Sequence, residues 1–68
     1  MAQVAKVIEV VGSSDSSWAD AADVAVRVAG KTVKNISGVE VINMTATVKG
    51  GKIDTYKATV KVAFAVED

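Results

Sequence analysis

The sequence predicts an α+β fold of order β-α-β-β, with a three-stranded antiparallel sheet partly wrapping one helix, and three observations carry that prediction. Residues Gly12 to Ile36 hold the one long helical period in the chain. The segments on either side alternate or run apolar as strands do, and Gly50-Gly51 divides the second half as a hairpin turn would. If the helix returns the chain, the last strand runs antiparallel to the other two and lies between them.

The first strand is expected at Gln3 to Val11, with Val4, Ile8 and Val10 on one face and Ala5, Val7 and Val11 on the other. Both faces are largely apolar. In a domain this small, a two-faced apolar strand is what a subunit contact produces.

At about 100° per residue, Trp18, Ala21, Ala22, Ala25, Val26, Ala29, Thr32, Val33 and Ile36 share one helix face. Asp20, Asp23, Arg27, Lys31 and Lys34 take the other. Val24 and Val28 widen the apolar arc beyond the roughly 100° stripe of a surface helix, which predicts a neighbouring chain as second cover. Gly12 is read as ending the first strand, Ser14 as the N-cap and Asp15 as a favourable first-turn charge. Gly30 comes too early for the C-cap if Val33 belongs to the core, so the exit is expected at Asn35 to Gly38.

The second strand is expected at Val39 to Lys49, where Val39 and Val41 share a face before the apolar series changes phase to Ile42, Met44, Ala46 and Val48. A phase change of this kind predicts a bulge or bend. In the last strand, Ile53 to Val66, Tyr56, Ala58, Val60, Val62, Phe64 and Val66 alternate with Thr55, Lys57, Thr59, Lys61, Ala63 and Ala65. A two-residue Gly50-Gly51 loop would set Met44 and Ala46 on the face of Thr59 and Lys61. A three-residue loop instead puts them with Tyr56 and Ala58 and gathers Asn43, Thr45, Thr47, Lys57 and Thr59 opposite, so the odd-length loop is expected.

Sixty-eight residues make one domain, 1-68, with a marginal core. There is no Cys or His to supply a disulfide or a usual zinc site, which leaves self-association as the stabilising device. Eight basic and eight acidic residues cancel without clustering, unlike the footprint of a nucleic-acid binder. No apolar run reaches membrane-spanning length and no signal-peptide cleavage site stands at the start, so the expectation is no membrane and a cytoplasmic protein.

Little here suggests catalysis. Ser13, Ser14, Asp15, Ser16 and Ser17 have no His to serve as base and read as helix capping. The glycines fit no phosphate-binding fingerprint. Asp20 and Asp23 could hold a hard cation only with oxygens from elsewhere, and otherwise form a solvated face with Arg27. Trp18 opens the helix's apolar face and reads as packing, while Glu9, Glu40 and Asp54 are scattered along the chain. The polar strip of Asn43, Thr45, Thr47, Lys57 and Thr59 is the one place where hydrogen-bonding groups converge on a rigid sheet, a small-molecule site if an oligomer roofs it.

Lys6-Val-Ile-Glu-Val-Val-Gly-Ser-Ser14, Ser17-Trp-Ala-Asp-Ala21, Lys31-Thr-Val-Lys-Asn-Ile36, Gly38-Val-Glu-Val41, Gly51-Lys-Ile53 and Val60-Lys-Val-Ala-Phe-Ala-Val-Glu-Asp68 together resemble the dodecins. The resemblance covers nearly the whole chain. It implies a hollow homododecamer that binds flavin, riboflavin or FMN, in pairs at its two-fold axes and stores or sequesters it without catalysis. The family pattern has a Trp that stacks on the flavin ring and a Gln that hydrogen-bonds its polar edge; those positions fall here on Gly38 and Lys57. Other pocket positions fall on Asn43 and Thr47. The resemblance therefore implies Gly38, Asn43, Thr47 and Lys57 as the ligand-binding set, without the aromatic platform and with a cation suited to FMN or another anion. The rival readings are a shell that binds a metal ion such as calcium, with Asp20 and Asp23 meeting across a symmetry axis, or a purely structural particle.

Overall fold

The computed structural model describes residues 4–66. Strand β1 spans Val4–Ser14, helix α1 Trp18–Ala29, strand β2 Ile36–Lys49 and strand β3 Lys52–Val66. The sheet order is β1-β3-β2 with both pairings antiparallel, so the last strand is central as the connectivity predicted. Gln3, the expected start of β1, lies outside the described residues.

The β1–β3 ladder runs without interruption from Val4↔Val66 to Ser14↔Tyr56, carrying β1 three residues past its expected end. Gly12 is therefore inside the strand, opposite Ala58, rather than at its end. It lies where the helix crosses. A Cβ on Gly12 would fall 2.0 Å from the Ala21 carbonyl oxygen and 2.9 Å from the Ala25 Cβ. Ala21, Ala25 and Ala29, spaced four apart along one helix face, and Ala58 on β3 are all buried. Small side chains on both sides let helix and sheet approach closely, and Val60 and Val62, fully buried beside them, each contribute roughly 1.5–3 kcal/mol.

The helix begins three residues later than the capping reading placed it. Ser17, in extended backbone, is the N-cap and accepts from the Asp20 N–H at 3.0 Å. Ser14, at the end of β1, braces the entry: its hydroxyl accepts from the Ser16 N–H at 2.9 Å and the Ser17 N–H at 3.4 Å. The same hydroxyl donates to the Asp20 carboxylate at 2.6 Å.

Gly30, the position set aside on sequence grounds, is the C-cap. The chain then unwinds through short turns, with Lys31 N–H donating to Val28 O and Thr32 N–H to Ala29 O. Asn35, at φ 65°, turns it into β2. Ile36 reaches the core from β2, opposite Phe64, so the apolar positions after Gly30 did not require a longer helix.

The bulge expected in β2 is present, but the three-residue loop expected at the hairpin tip is not. The register shifts between Val41 and Asn43, where Ile42 is the extra residue, and this keeps Val39, Val41, Met44, Ala46 and Val48 on the helix side. Met44 pairs with Ala58 and Ala46 with Tyr56, as the parity argument required. The loop itself has two residues, Gly50 and Gly51, both at positive φ, and Lys49 pairs with Lys52. A second shift restores the face pattern: Thr47 pairs with Thr55 and Val48 with Ile53, leaving Asp54 as the extra residue.

Trp18 ties the helix start to this hairpin. Its indole N–H donates to the Thr45 carbonyl at 2.7 Å, and its ring meets Tyr56 edge-on with centroids 4.8 Å apart. Trp18→Phe keeps the ring contact and removes the donor. The expected outcome is a loss of about 1 kcal/mol, read as a lower urea midpoint at unchanged m-value.

The chain is long for its mass. Its radius of gyration is 14.0 Å, against about 11 Å for a compact chain of this length. It exposes 4922 Å², against roughly 4,000 Å² for a folded monomer of the same mass.

Candidate functional site: the sheet face away from the helix

Because Ala58, Val60 and Val62 face the helix, the alternate residues of β3 face away from it, and the register sets their neighbours on the two outside strands. Thr55 stands beside Thr47. Lys57 lies between Ser13 and Thr45, and Thr59 between Val11 and Asn43. Next come Lys61 between Glu9 and Glu40, and then Ala63 between Val7 and Gly38.

Asn43, Thr47 and Lys57 are thus brought together. Seven polar side chains, from Ser13, Asn43, Thr45, Thr47, Thr55, Lys57 and Thr59, make a continuous hydroxyl- and amide-rich field. Lys57 is half-buried at its centre. Among the described residues no carboxylate pairs with it; the ion pair present is Lys49 with Asp54, 3.8 Å apart at the hairpin tip. Lys61 differs, since a carboxylate flanks it on each side.

Gly38 stands apart. It lies within β2, not in the connection before it, and pairs with Ala63. Ala63 is six residues along β3 from Lys57, about 20 Å along the strand. Gly38 instead forms part of a shallow depression of about 430 Å³ with Val7, Val39, Glu40, Lys61 and Ala63. A Cβ on Gly38 would meet nothing within 4 Å, so the position is open to a larger side chain.

Two features of this face were missed in the sequence. Ser13 was assigned to the helix cap, but β1 continues past it and sets it beside Lys57. Glu9 and Glu40, scattered along the chain, meet in one row across Lys61. Only the register between strands could have revealed that row. Asp20, weighed as a cation ligand, is engaged by the Ser14 hydroxyl. Among the described residues no group of three or more carboxylates comes together as a metal site. Nor is any described helix long and apolar enough to cross a membrane.

The dodecin family profile matches residues 4–67. No curated protein matches the chain. Among solved structures, the tt0972 protein from Thermus thermophilus is 27% identical, with 98% of each chain covered and a TM-score of 0.94. A single-substitution variant of the T. thermophilus dodecin is also 27% identical, covering 98% of this chain and 100% of its own at a TM-score of 0.93. The dodecin from Streptomyces coelicolor is 26% identical, covering 97% of this chain and 94% of its own at 0.92.

Proposed function

The chain belongs to the dodecin family, and from that membership we propose that it is a non-catalytic protein that binds and stores or sequesters a flavin, riboflavin or FMN, within a hollow cytoplasmic homododecamer. The ligand is held at the sheet face away from the helix, with Gly38, Asn43, Thr47 and Lys57 nearest to it. The observation that carries this reading is the polar field around Lys57, a half-buried cation with hydroxyls on both sides and no carboxylate partner among the described residues. A ring with a polar edge and a phosphate finds donors and acceptors there.

Assembly belongs to the same reading. Gly38 and Lys57 are too far apart along one sheet for a single three-ring heterocycle to touch both, so a ligand that meets both takes them from different chains. The elongated shape and surplus surface support association in the same direction.

The test is a fluorescence titration of riboflavin and FMN with the purified protein and with Lys57→Gln. Saturable quenching of both flavins is expected, with FMN the tighter by about tenfold through a charge-assisted contact to its phosphate. Lys57→Gln is expected to remove the FMN advantage and leave riboflavin nearly unchanged. No quenching of either flavin at tens of micromolar protein overturns the flavin assignment.

A further inference from the structure

The polar field on the sheet face is left unspent by the fold. The hydroxyls of Ser13, Thr45, Thr47 and Thr59, the Asn43 amide and the half-buried Lys57 ammonium have no hydrogen-bond or ion-pair partner among the described residues. The carboxylates nearest in the chain are engaged elsewhere. Asp54 takes Lys49 at 3.8 Å and the Thr55 hydroxyl at 3.2 Å. Glu9 and Glu40 flank Lys61, four residues further along β3 and about 13 Å away, past the roughly 8 Å over which exposed charges act at physiological ionic strength. The field therefore carries one uncompensated positive charge, with Ser13 and Thr45 beside it and Thr59 one row on. It contains no aromatic side chain. Tyr56 and Phe64 share the β3 face of Ala58, Val60 and Val62, which is the helix side, and Trp18 meets Tyr56 there.

We infer that this field is an oxyanion site in its own right, which binds the phosphomonoester of a sugar or polyol with no ring system attached. The inference rests on the face and the Lys57 contact of the flavin reading and widens the ligand class from flavins to phosphorylated polyols. Lys57 supplies a compact point charge with three donors, which suits a tetrahedral phosphate approached from one side. Hydroxyls both donate and accept, so those of Ser13, Thr45 and Thr59 complement the remaining phosphate oxygens and the hydroxyls of the attached chain alike. The field is about 10 Å wide across its three strands, room for a phosphate and a short polyol together. With no stacking surface in it, recognition there falls on phosphate and hydroxyl groups and is indifferent to a ring.

The test is calorimetric titration of ribose 5-phosphate, ribose and inorganic phosphate into the full chain, repeated with Lys57→Gln and Lys57→Arg. Ribose 5-phosphate is expected to saturate at one per chain, inorganic phosphate to bind more weakly and ribose to give no binding heat. Lys57→Gln is expected to weaken ribose 5-phosphate about tenfold or more, while Lys57→Arg, which keeps the charge, stays within about threefold of the parent. No binding of ribose 5-phosphate at millimolar concentration, equal binding by parent and Lys57→Gln, or binding no tighter than inorganic phosphate would overturn the proposal. Riboflavin and FMN titrated into the same preparations separate the two readings. Flavin binding without ribose 5-phosphate binding removes this proposal alone, whereas ribose 5-phosphate binding with neither flavin bound upholds it and removes the flavin assignment.

Discussion

Gly12→Ala is expected to cost about 3 kcal/mol or more of stability, at or beyond the upper end of ordinary overpacking, and to leave little folded protein at 37 °C. The added Cβ would sit 2.0 Å from the Ala21 carbonyl oxygen, a backbone atom that no rotamer change can move. The Ala25 Cβ and N–H, at 2.9 and 3.0 Å, block the remaining directions. Relief requires lifting the helix off the sheet, which opens the contact of Ala21 and Ala25 with Ala58, Val60 and Val62, the centre of the core. Circular dichroism during thermal unfolding reads the result. Gly38→Ala, where the Cβ meets open space, serves as the control and is expected to unfold near the parent. A Gly12→Ala protein as stable as the parent would contradict the close helix–sheet approach.

The second large effect runs in the opposite direction. Gly38→Trp is expected to tighten riboflavin and FMN binding by roughly tenfold to thirtyfold. The position has room, since a Cβ added there meets no atom within 4 Å, and it lies over the depression formed with Val7 and Ala63. An aromatic ring there supplies a stacking surface worth about 0.5–1.5 kcal/mol for each flavin face covered, and two chains can supply two faces. Parallel flavin titrations of parent and variant measure the ratio. Equal affinities would place the ligand away from Gly38.

The topology was legible because each strand keeps its period and the hairpin can be tested by parity. Parity identified the correct faces but not the turn. The two-residue Gly50-Gly51 loop and an extra residue at Asp54 produce the same faces as one three-residue loop, and a sequence cannot distinguish these because alternation reports only their sum. The helix ends were harder to read for a different reason. Ser14 and Ser17 are both good caps, and which one starts the helix depends on how far β1 stays paired with β3. Val33 and Ile36 continue the helical period by coincidence of spacing, while the chain has already left the helix at Gly30.

At the candidate site, Asn43, Thr47 and Lys57 could be grouped from alternation within the hairpin alone. Ser13 and Glu9 could not, since they join the face through pairings that span most of the chain, and Glu40 reaches its place beside Lys61 only through the register shift at Ile42. The distance between Gly38 and Lys57 was likewise invisible, because family spacing places residues along a chain without saying how far apart the register sets them.

The most direct test of the central claim, a closed shell that holds flavin, is sedimentation velocity of the purified protein with FMN, following the flavin's visible absorbance. The account predicts that flavin absorbance moves with a single boundary of about 84 kDa, twelve chains of 7.0 kDa each. Flavin left at the meniscus while the protein sediments as that particle would contradict the ligand assignment, and a protein boundary near 7.0 kDa would contradict the shell.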